Sequence, residues 1–374
     1  MKKWTLIIGL GLALVPLHNR EVTELATLNG RVLFFLPTFG FLLLVLGAVF
    51  FMMRYWKEVN EAGFGDKKIW IPLAIIVVAM GVSGFVNGET FKSMVSPLFM
   101  GCALFCVYLV ARIIGPDVFK YLIPFVIIGS VSVIVLGLVF PGQYTGGFIT
   151  NYCASAGFLI FGVMVYRGKW KLALLLLAAV GLFFIGALEV VFIVGVIGIC
   201  VLVRRDWNIK LLYGVLLFVG LGIIWFGLGH LTPLYEGNQN LEVLREIITG
   251  KTPLNYQTFS DLTTGRWVAI VEAARNFSFI GHGYSLSTVP GGIVHNIPLI
   301  IMHQIGPFAA LAWLFVTMRC LIKTNWKYIW VAVIAMCVFD HYLWTQTAPW
   351  WWALVGVTTS HNIKNDWIFK CVSA

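Results

Sequence analysis

Residues 172–203 read LALLLLAAVGLFFIGALEVVFIVGVIGICVLV, a continuous apolar run whose one charged side chain is Glu189. Basic residues flank the run at both ends: Arg167, Lys169 and Lys171 before it, and Arg204, Arg205 and Lys210 after it. Because basic loops stay in the cytoplasm, the run has to cross a membrane outward and return. Each half has about 15 residues and reaches only roughly 23 Å, less than the roughly 30 Å of a hydrocarbon core. The tip near 186–189, and with it Glu189, is therefore expected inside the membrane.

The composition of the whole chain agrees with this interpretation. Apolar residues make up 60% of the 374 residues and charged residues 11%, and the mean hydropathy is +0.90. Soluble domains have about 45–50% apolar and about 25% charged residues. We therefore predict an all-α helical bundle that crosses the membrane about twelve times, as one domain covering residues 1–374. The predicted spans are about 4–17, 32–53, 69–86, 94–111, 119–140, 148–166, 171–186, 189–203, 209–229, 296–318, 328–345 and 348–362.

The distribution of basic residues gives the orientation. If both chain ends lie in the cytoplasm, the 26 Lys and Arg residues are distributed unequally between the two sides of the membrane. Only seven fall outside: Arg20, Arg31, Lys92, Arg245, Lys251, Arg266 and Arg275. This is the bias expected of a cytoplasmic N-terminus. The net charge of +10 then reflects topology, and no nucleic-acid partner is needed to explain it.

One long loop, residues 230–295, lies on the outer side between the ninth and tenth spans. Loops of this length are uncommon in compact proteins unless they have a function. Residues 264–278 within it place Trp267, Ile270, Val271, Ala274 and Phe277 at helical spacing. We predict an amphipathic helix that lies on the outer leaflet or dips into it.

The end of this loop contains the residues best suited to chemistry. Arg266 opens the amphipathic helix, where free backbone N–H groups favour an anion and a guanidinium adds bidentate phosphate recognition. Arg275 points to nearly the opposite side and can pair with Glu272, so we favour Arg266 as the phosphate ligand.

His295 stands at the mouth of the tenth span, where Asn296 can cap the helix. A neutral imidazole there can accept a proton from a hydroxyl nucleophile, although an ordinary interfacial histidine is the alternative. His303, deeper on another face, is expected to be structural. Asp340 and Glu189 are carboxylates within spans, which by default mark either a functional site or a buried pair.

The order and spacing of these pieces resemble the O-antigen ligase and O-antigen polymerase superfamily. The residues that carry the resemblance are Gly265-Arg266, the turn Gly281-His282-Gly283, His295-Asn296 and residues 339–345, FDHYLWT. The specific resemblance covers about residues 262–345, and upstream only the topology is similar. The family are multispan glycosyltransferases that need neither a metal nor a nucleotide.

The resemblance implies a function and a role for each candidate residue. A glycan would pass from an undecaprenyl-diphosphate carrier to an acceptor hydroxyl on the outer face of the bacterial inner membrane. His295 would be the base, Arg266 would hold the diphosphate and Asp340 would orient the site. The other candidates are Glu189 as a further catalytic acid, and Arg275, His282, Tyr284 and Asn296 in substrate binding.

One departure from the family concerns the hairpin between spans seven and eight. The family commonly has Ser-Arg there, which supplies a second phosphate-binding arginine, but this chain has Gly186-Ala187-Leu188-Glu189. Arg275, Arg31 or His282 are the candidates to replace it.

The sequence leaves several alternatives open. The acceptor can be a growing glycan, a lipid or a protein, so a polymerase, a ligase and a protein O-oligosaccharyltransferase all remain. A flippase or exporter of lipid-linked glycans also fits many spans with a few intramembrane acids, and the multispan cell-wall polymerases have a similar core. Both intramembrane acids lie in the outer half, which favours chemistry on the outer face over transport.

Overall fold

The computed structural model describes residues 2–17, 31–139, 159–162, 169–185, 207–225, 239–262, 266–284, 294–324, 327–339, 342–345 and 347–360. Throughout these ranges the chain forms helices and turns, with no strand. The predicted all-α class is therefore confirmed for this part of the chain.

The helices follow the predicted spans closely up to residue 139, whereas the predicted span 148–166 is described only at 159–162 and the predicted span 189–203 lies outside the described residues. They are α1 (Lys2–Leu14), α2 (Arg31–Arg54), α3 (Lys67–Asn87), α4 (Phe91–Ile114), α5 (Leu122–Val139), α6 (Lys171–Ile185) and α7 (Trp207–Trp225). The outer loop contributes α8 (Gln239–Ile248), α9 (Tyr256–Leu262) and α10 (Arg266–Arg275). The C-terminal part forms α11 (Ile297–Ile305), α12 (Pro307–Lys323), α13 (Lys327–Phe339) and α14 (Ala348–Thr358).

Four helical segments in the described ranges are long and apolar enough to cross a membrane: Leu36–Arg54, Lys67–Asn87, Phe91–Ile114 and Pro116–Val139. Large apolar side chains on them are exposed, including Phe50, Val78, Phe99 and Leu138. A protein with such surfaces needs lipid around them. The chain is thus a membrane protein, while the total of twelve spans stays a prediction. The predicted hairpin tip at 186–189 lies outside the described residues.

Helix α14 is the centre of the C-terminal bundle, because every residue from Ala348 to Val357 is buried. Its three consecutive tryptophans point to three different neighbours. The indole N–H of Trp350 donates to the Leu12 carbonyl of α1 (2.7 Å), and that of Trp351 donates to the Thr317 hydroxyl of α12 (3.2 Å). The Trp352 ring lies 6.4 Å, edge-on, from Phe105 of α4. Helix α14 therefore joins α1, α4 and α12.

A glycine allows α14 to approach α4 at backbone distance. A Cβ on Gly356 would overlap the Tyr108 carbonyl oxygen of α4 and lie 2.9 Å from the Arg112 amide nitrogen. Any side chain at this position has to push the two helices apart.

An ionic cluster joins the start of α3 to the end of α12. Asp66 caps α3 and accepts from the Lys68 amide (3.1 Å). Its carboxylate also lies 3.2 Å from Lys323 and 3.5 Å from Arg319. Partial burial alone would raise the pKa of Asp66, but Lys323 and Arg319 outweigh it and hold the pKa below its ordinary value. Because the start of α3 contacts the end of α12, the two helices run antiparallel.

The predicted tenth span, 296–318, is not one helix. It divides at Gly306 into α11 and α12. Helix α11 has 9 residues and is about 13 Å long, too short to cross a bilayer.

Replacing Gly356 by alanine is expected to destabilise the protein by about 1–3 kcal/mol, because overpacking separates α4 from α14. Gly214 of α7 is the matched control, since a Cβ there meets nothing within 4 Å. Gly214→Ala should leave stability unchanged or raise it by about 0.5–1 kcal/mol. Thermal unfolding of the detergent-purified variants measures both effects. Equal midpoints for the two variants would contradict the close contact.

Candidate functional site

The break at Gly306 leaves the C-terminal carbonyls of α11 without partners inside the helix. Gly306 has φ 92° and ψ 167°, a backbone conformation that essentially only glycine adopts. Pro307 then begins α12 and has no N–H to donate. At membrane depth each unsatisfied backbone group costs several kcal/mol, so other parts of the chain must supply donors.

The turn after α10 supplies those donors. The His282 amide donates to the His303 carbonyl (2.8 Å), and the Gly283 amide donates to the Gln304 carbonyl (3.2 Å). The Ser83 hydroxyl of α3 donates to the same Gln304 carbonyl (2.7 Å). The outer loop is thus joined to the broken helix by backbone hydrogen bonds, which depend on geometry and not on side-chain identity.

The turn at residues 279–283 crosses the break at Gly306 at backbone distance, and we call this contact the crossing. Two glycines make it sterically possible. A Cβ on Gly281 (φ 80°) would overlap the Gln304 carbonyl, and a Cβ on Gly306 would overlap the Phe279 carbonyl. Both residues also have positive φ. Glycine is therefore required at each position for two reasons: its backbone conformation and the lack of room for a Cβ atom. The Gly-x-Gly turn is therefore explained by its packing against α11 and α12.

The other end of α11 is held by Asn296. Its side-chain oxygen accepts from the Leu299 amide (3.1 Å), which confirms the predicted N-cap. Its amide nitrogen donates to the Val338 carbonyl near the end of α13 (3.2 Å). Val338 is two residues before Asp340, which itself lies outside the described residues.

A second contact holds the chain just beyond Asp340. The indole N–H of Trp344 donates to the Gln304 side-chain oxygen (2.8 Å), and both residues are buried. The segment between Val338 and Trp344 is therefore held at both of its ends along α11.

His295 directly precedes the cap residue of α11, where it is half-buried with its Nδ1 atom buried. Tyr284 lies at the opposite end of α11. Its ring is half-buried and edge-on to Trp344, with centroids 6.0 Å apart. Burial raises the pKa of Tyr284 above its ordinary value.

The crossing brings two histidines together. The rings of His282 and His303 lie 4.6 Å apart at 38°, and His303 is only 5% exposed. The Nε2 atom of His282 is 2.8 Å from the Asn276 carbonyl, and the residue is otherwise exposed. His303, which was expected to be structural, is the buried member of this pair, and the exposed member His282 is a candidate substrate-binding residue.

The two candidate arginines of α10 have different surroundings. Arg266 starts the helix on the same face as Ala269 and Ala273, which are fully buried, and its own Nε atom is buried. Arg275 is 72% exposed and lies 3.2 Å from Glu272, which confirms the predicted pair. Arg266 is thus directed toward the protein, where the elements packed against α10 are α9 and α11.

Glu189 lies outside the described residues, as Asp340 does. In the described ranges no cluster of three or more His, Cys, Asp or Glu residues is placed to hold a metal ion. Sequence reasoning missed Gln304, Ser83 and the break itself, although Gly306-Pro307 within an apolar run was a signal for the break.

Comparison with known proteins adds no relative. No family model matches the chain, and no curated protein has significant similarity to it.

Substituting alanine at Gly281 or Gly306 is expected to destabilise the protein by more than the roughly 1–3 kcal/mol of backbone strain alone, because the new Cβ also overlaps a carbonyl. Gly250 is the control, since it has φ 70° but meets nothing within 4 Å. Gly250→Ala carries only the strain. Thermal unfolding compares the stabilities of the three variants. Equal losses of stability would show that the segment 279–283 and the break at Gly306 do not meet at backbone distance.

Proposed function

We propose that this protein transfers a glycan from an undecaprenyl-diphosphate carrier to an acceptor hydroxyl at the outer face of the bacterial inner membrane. The activity is that of an O-antigen ligase or polymerase. In this proposal the chain crosses the membrane about twelve times, both its ends are cytoplasmic, and the loop of residues 230–295 faces outward.

The observation that supports the proposal most is that α11 gathers three separate segments. Its start holds the end of α13 through Asn296 and Val338. Its end holds Trp344 and the turn at Gly283 through Gln304. The turn at Gly283 and the stretch from Val338 to Trp344 are far apart in the sequence, and residues within both carry the resemblance to the glycan transferases. Because one helix, α11, contacts all of them, these segments have a structural reason to occur together, and this reason does not depend on the resemblance.

The proposed reaction needs a base and a cation. Neutral His295 accepts the proton of the acceptor hydroxyl as that oxygen attacks the anomeric carbon. The bond between this carbon and the diphosphate oxygen breaks, and the diphosphate leaves on the polyprenyl carrier. Its growing charge is stabilised by Arg266 at the N-terminus of α10. Asp340 would orient His295 or the acceptor, and the proton on His295 passes to water afterwards.

Neither His282 nor Arg275 lies close to Arg266. His282 contacts the Asn276 carbonyl at the C-terminal end of α10, about 15 Å along the helix from Arg266. Arg275 is at the same end and is paired with Glu272. The proposed diphosphate site therefore relies on the Arg266 guanidinium.

The test is transfer by the purified protein in lipid vesicles with undecaprenyl-diphosphate-linked glycan. A carrier-linked repeat, a lipid and a serine-containing protein are offered as acceptors. His295→Gln should lower the transfer rate by about 10²–10⁴-fold, the typical contribution of a general base. Binding of the carrier should be retained. Equal rates for the variant and the wild type would exclude His295 as the base.

Arg266→Ala tests the diphosphate site against Arg275→Ala on the same helix. Loss of a charge-assisted hydrogen bond of about 1.5–3 kcal/mol lowers transfer about 10–100-fold for Arg266. Arg275→Ala should retain at least half the activity. If wild-type protein transfers to none of the acceptors but moves the carrier-linked glycan across the vesicle membrane, the protein is a transporter and the proposal is wrong.

Asn296→Asp tests whether the contact with α13 positions the site. Aspartate caps a helix as well as asparagine does, so α11 should stay intact. It cannot donate to the Val338 carbonyl, and the end of α13 is released. We expect kcat to fall about tenfold, a typical effect of misplaced catalytic groups, with little change in KM or thermal stability. A lowered melting temperature with unchanged kcat would make the contact merely structural.

A further inference from the structure

The joined ends of α3 and α12 carry more positive charge than their one carboxylate neutralises. Asp66 lies 3.2 Å from Lys323 and 3.5 Å from Arg319. Lys67 and Lys68, exposed in the first turn of α3, add two more cations beside it. We call these five residues the basic end. Its excess of positive charge attracts an anion.

Arg319 is the member of the basic end with unused hydrogen-bonding capacity. A guanidinium has five N–H donors in a planar fork that matches the oxygens of a phosphate. The contact of Arg319 with Asp66 is longer than the roughly 2.7–3.2 Å of a hydrogen bond. Its Nε atom is buried and has no hydrogen-bond partner in the part of the chain that the structure describes. Because the side chain is only 19% exposed, these unmade hydrogen bonds are costly, and a phosphate would supply them.

The basic end lies at the level of the lipid head groups. Helix α3 has 21 residues and is about 31 Å long, which matches the roughly 30 Å of a hydrocarbon core, and the basic end is at its first turn. Ile71 follows Lys67 by one turn of α3, and Phe315 precedes Arg319 by one turn of α12. These two side chains are 42% and 48% exposed. A ligand at the basic end therefore meets cations at its head and hydrocarbon along its tail.

An anionic phospholipid has both of these properties. A free phosphate ion would meet the cations but leave Ile71 and Phe315 without a partner. A zwitterionic phospholipid brings an ammonium group, which the excess of cations repels. A negatively charged lipid gains from the charge and from the apolar contact together.

We propose that the basic end binds the phosphate of an anionic phospholipid, which then joins α3 to α12. In the predicted orientation this lipid belongs to the cytoplasmic leaflet. The inference does not depend on the proposed function, because the crossing contacts α3 near its opposite end, through Ser83 and Asn87.

The experiment measures lipid binding by the full-length protein in detergent. Native mass spectrometry gives the dissociation constants of phosphatidylglycerol and of phosphatidylethanolamine with the same acyl chains. The variants are Arg319→Gln, which removes the guanidinium, and Asp66→Asn, which removes the carboxylate but retains a residue that caps α3. Arg54→Gln is the matched control, because Arg54 is an exposed arginine at the end of α2 that does not belong to the basic end.

We expect wild-type protein to bind phosphatidylglycerol at least about tenfold more tightly than phosphatidylethanolamine. Arg319→Gln should weaken phosphatidylglycerol binding about 10–100-fold, the effect of losing a charge-assisted hydrogen bond. Arg54→Gln should change it less than about twofold, as is usual for an exposed charge. Asp66→Asn should strengthen it about 2–5-fold, because a partly exposed negative charge no longer opposes the phosphate. Melting temperatures show that each variant is folded.

Each of four results would overturn the inference. Equal phosphatidylglycerol binding by wild type and folded Arg319→Gln would exclude the basic end as the site. Equal affinity of wild type for the two lipids would mean that the lipid is ordinary bilayer lipid. Displacement of phosphatidylglycerol by inorganic phosphate at the same concentration would make this a site for a soluble anion. Unchanged or weaker binding by folded Asp66→Asn would contradict the excess of positive charge as the cause.

Discussion

The backbone crossing between residues 279–283 and the break at Gly306 is the constraint on which the arrangement of α10, α11 and α12 depends. A helix that ends within a membrane exposes carbonyls that hydrocarbon cannot satisfy. Here the amides of His282 and Gly283 and the Ser83 hydroxyl satisfy them. Because these hydrogen bonds use the backbone, the outer loop has a fixed register against α11. Without the crossing, α11 would continue into α12 as an ordinary span.

The break makes α11 a separate element to which the candidate site is attached. Its first residues hold the end of α13, and its last residues hold Trp344 and the turn at Gly283. Beneath it, α12 packs on α3 and on α14, whose tryptophans join the inner helices. A short helix held at both ends by a rigid bundle can keep a catalytic geometry through hydrogen bonds alone.

The sequence predicted those features that depend on local pattern. The predicted span 69–86 corresponds to α3 at Lys67–Asn87. The cap at Asn296 and the pairing of Arg275 with Glu272 were expected from spacing of three residues, and both are present. Such features are set by neighbours within one turn of helix, which a sequence displays directly.

The features that the sequence did not reveal are non-local. Hydropathy treats 296–318 as one apolar window, because neither Gly306 nor Pro307 lowers its average enough to interrupt it. The pairing of His282 with His303 and the hydrogen bond from Ser83 to Gln304 join residues that no periodicity relates. Helix α10 was predicted over 264–278 but is found at Arg266–Arg275, and it directs small residues inward, because close approach to its neighbours favours alanine.

The most direct measurement of the central claim is an electron cryomicroscopy structure of the His295→Ala variant in nanodiscs with bound undecaprenyl-diphosphate-linked glycan. The account predicts a diphosphate in contact with the Arg266 guanidinium on the outer side. It also predicts that the first sugar faces residue 295, at the start of α11. A diphosphate bound near Asp66 and Arg319 at the cytoplasmic ends, or along a polar path through both leaflets, would contradict it.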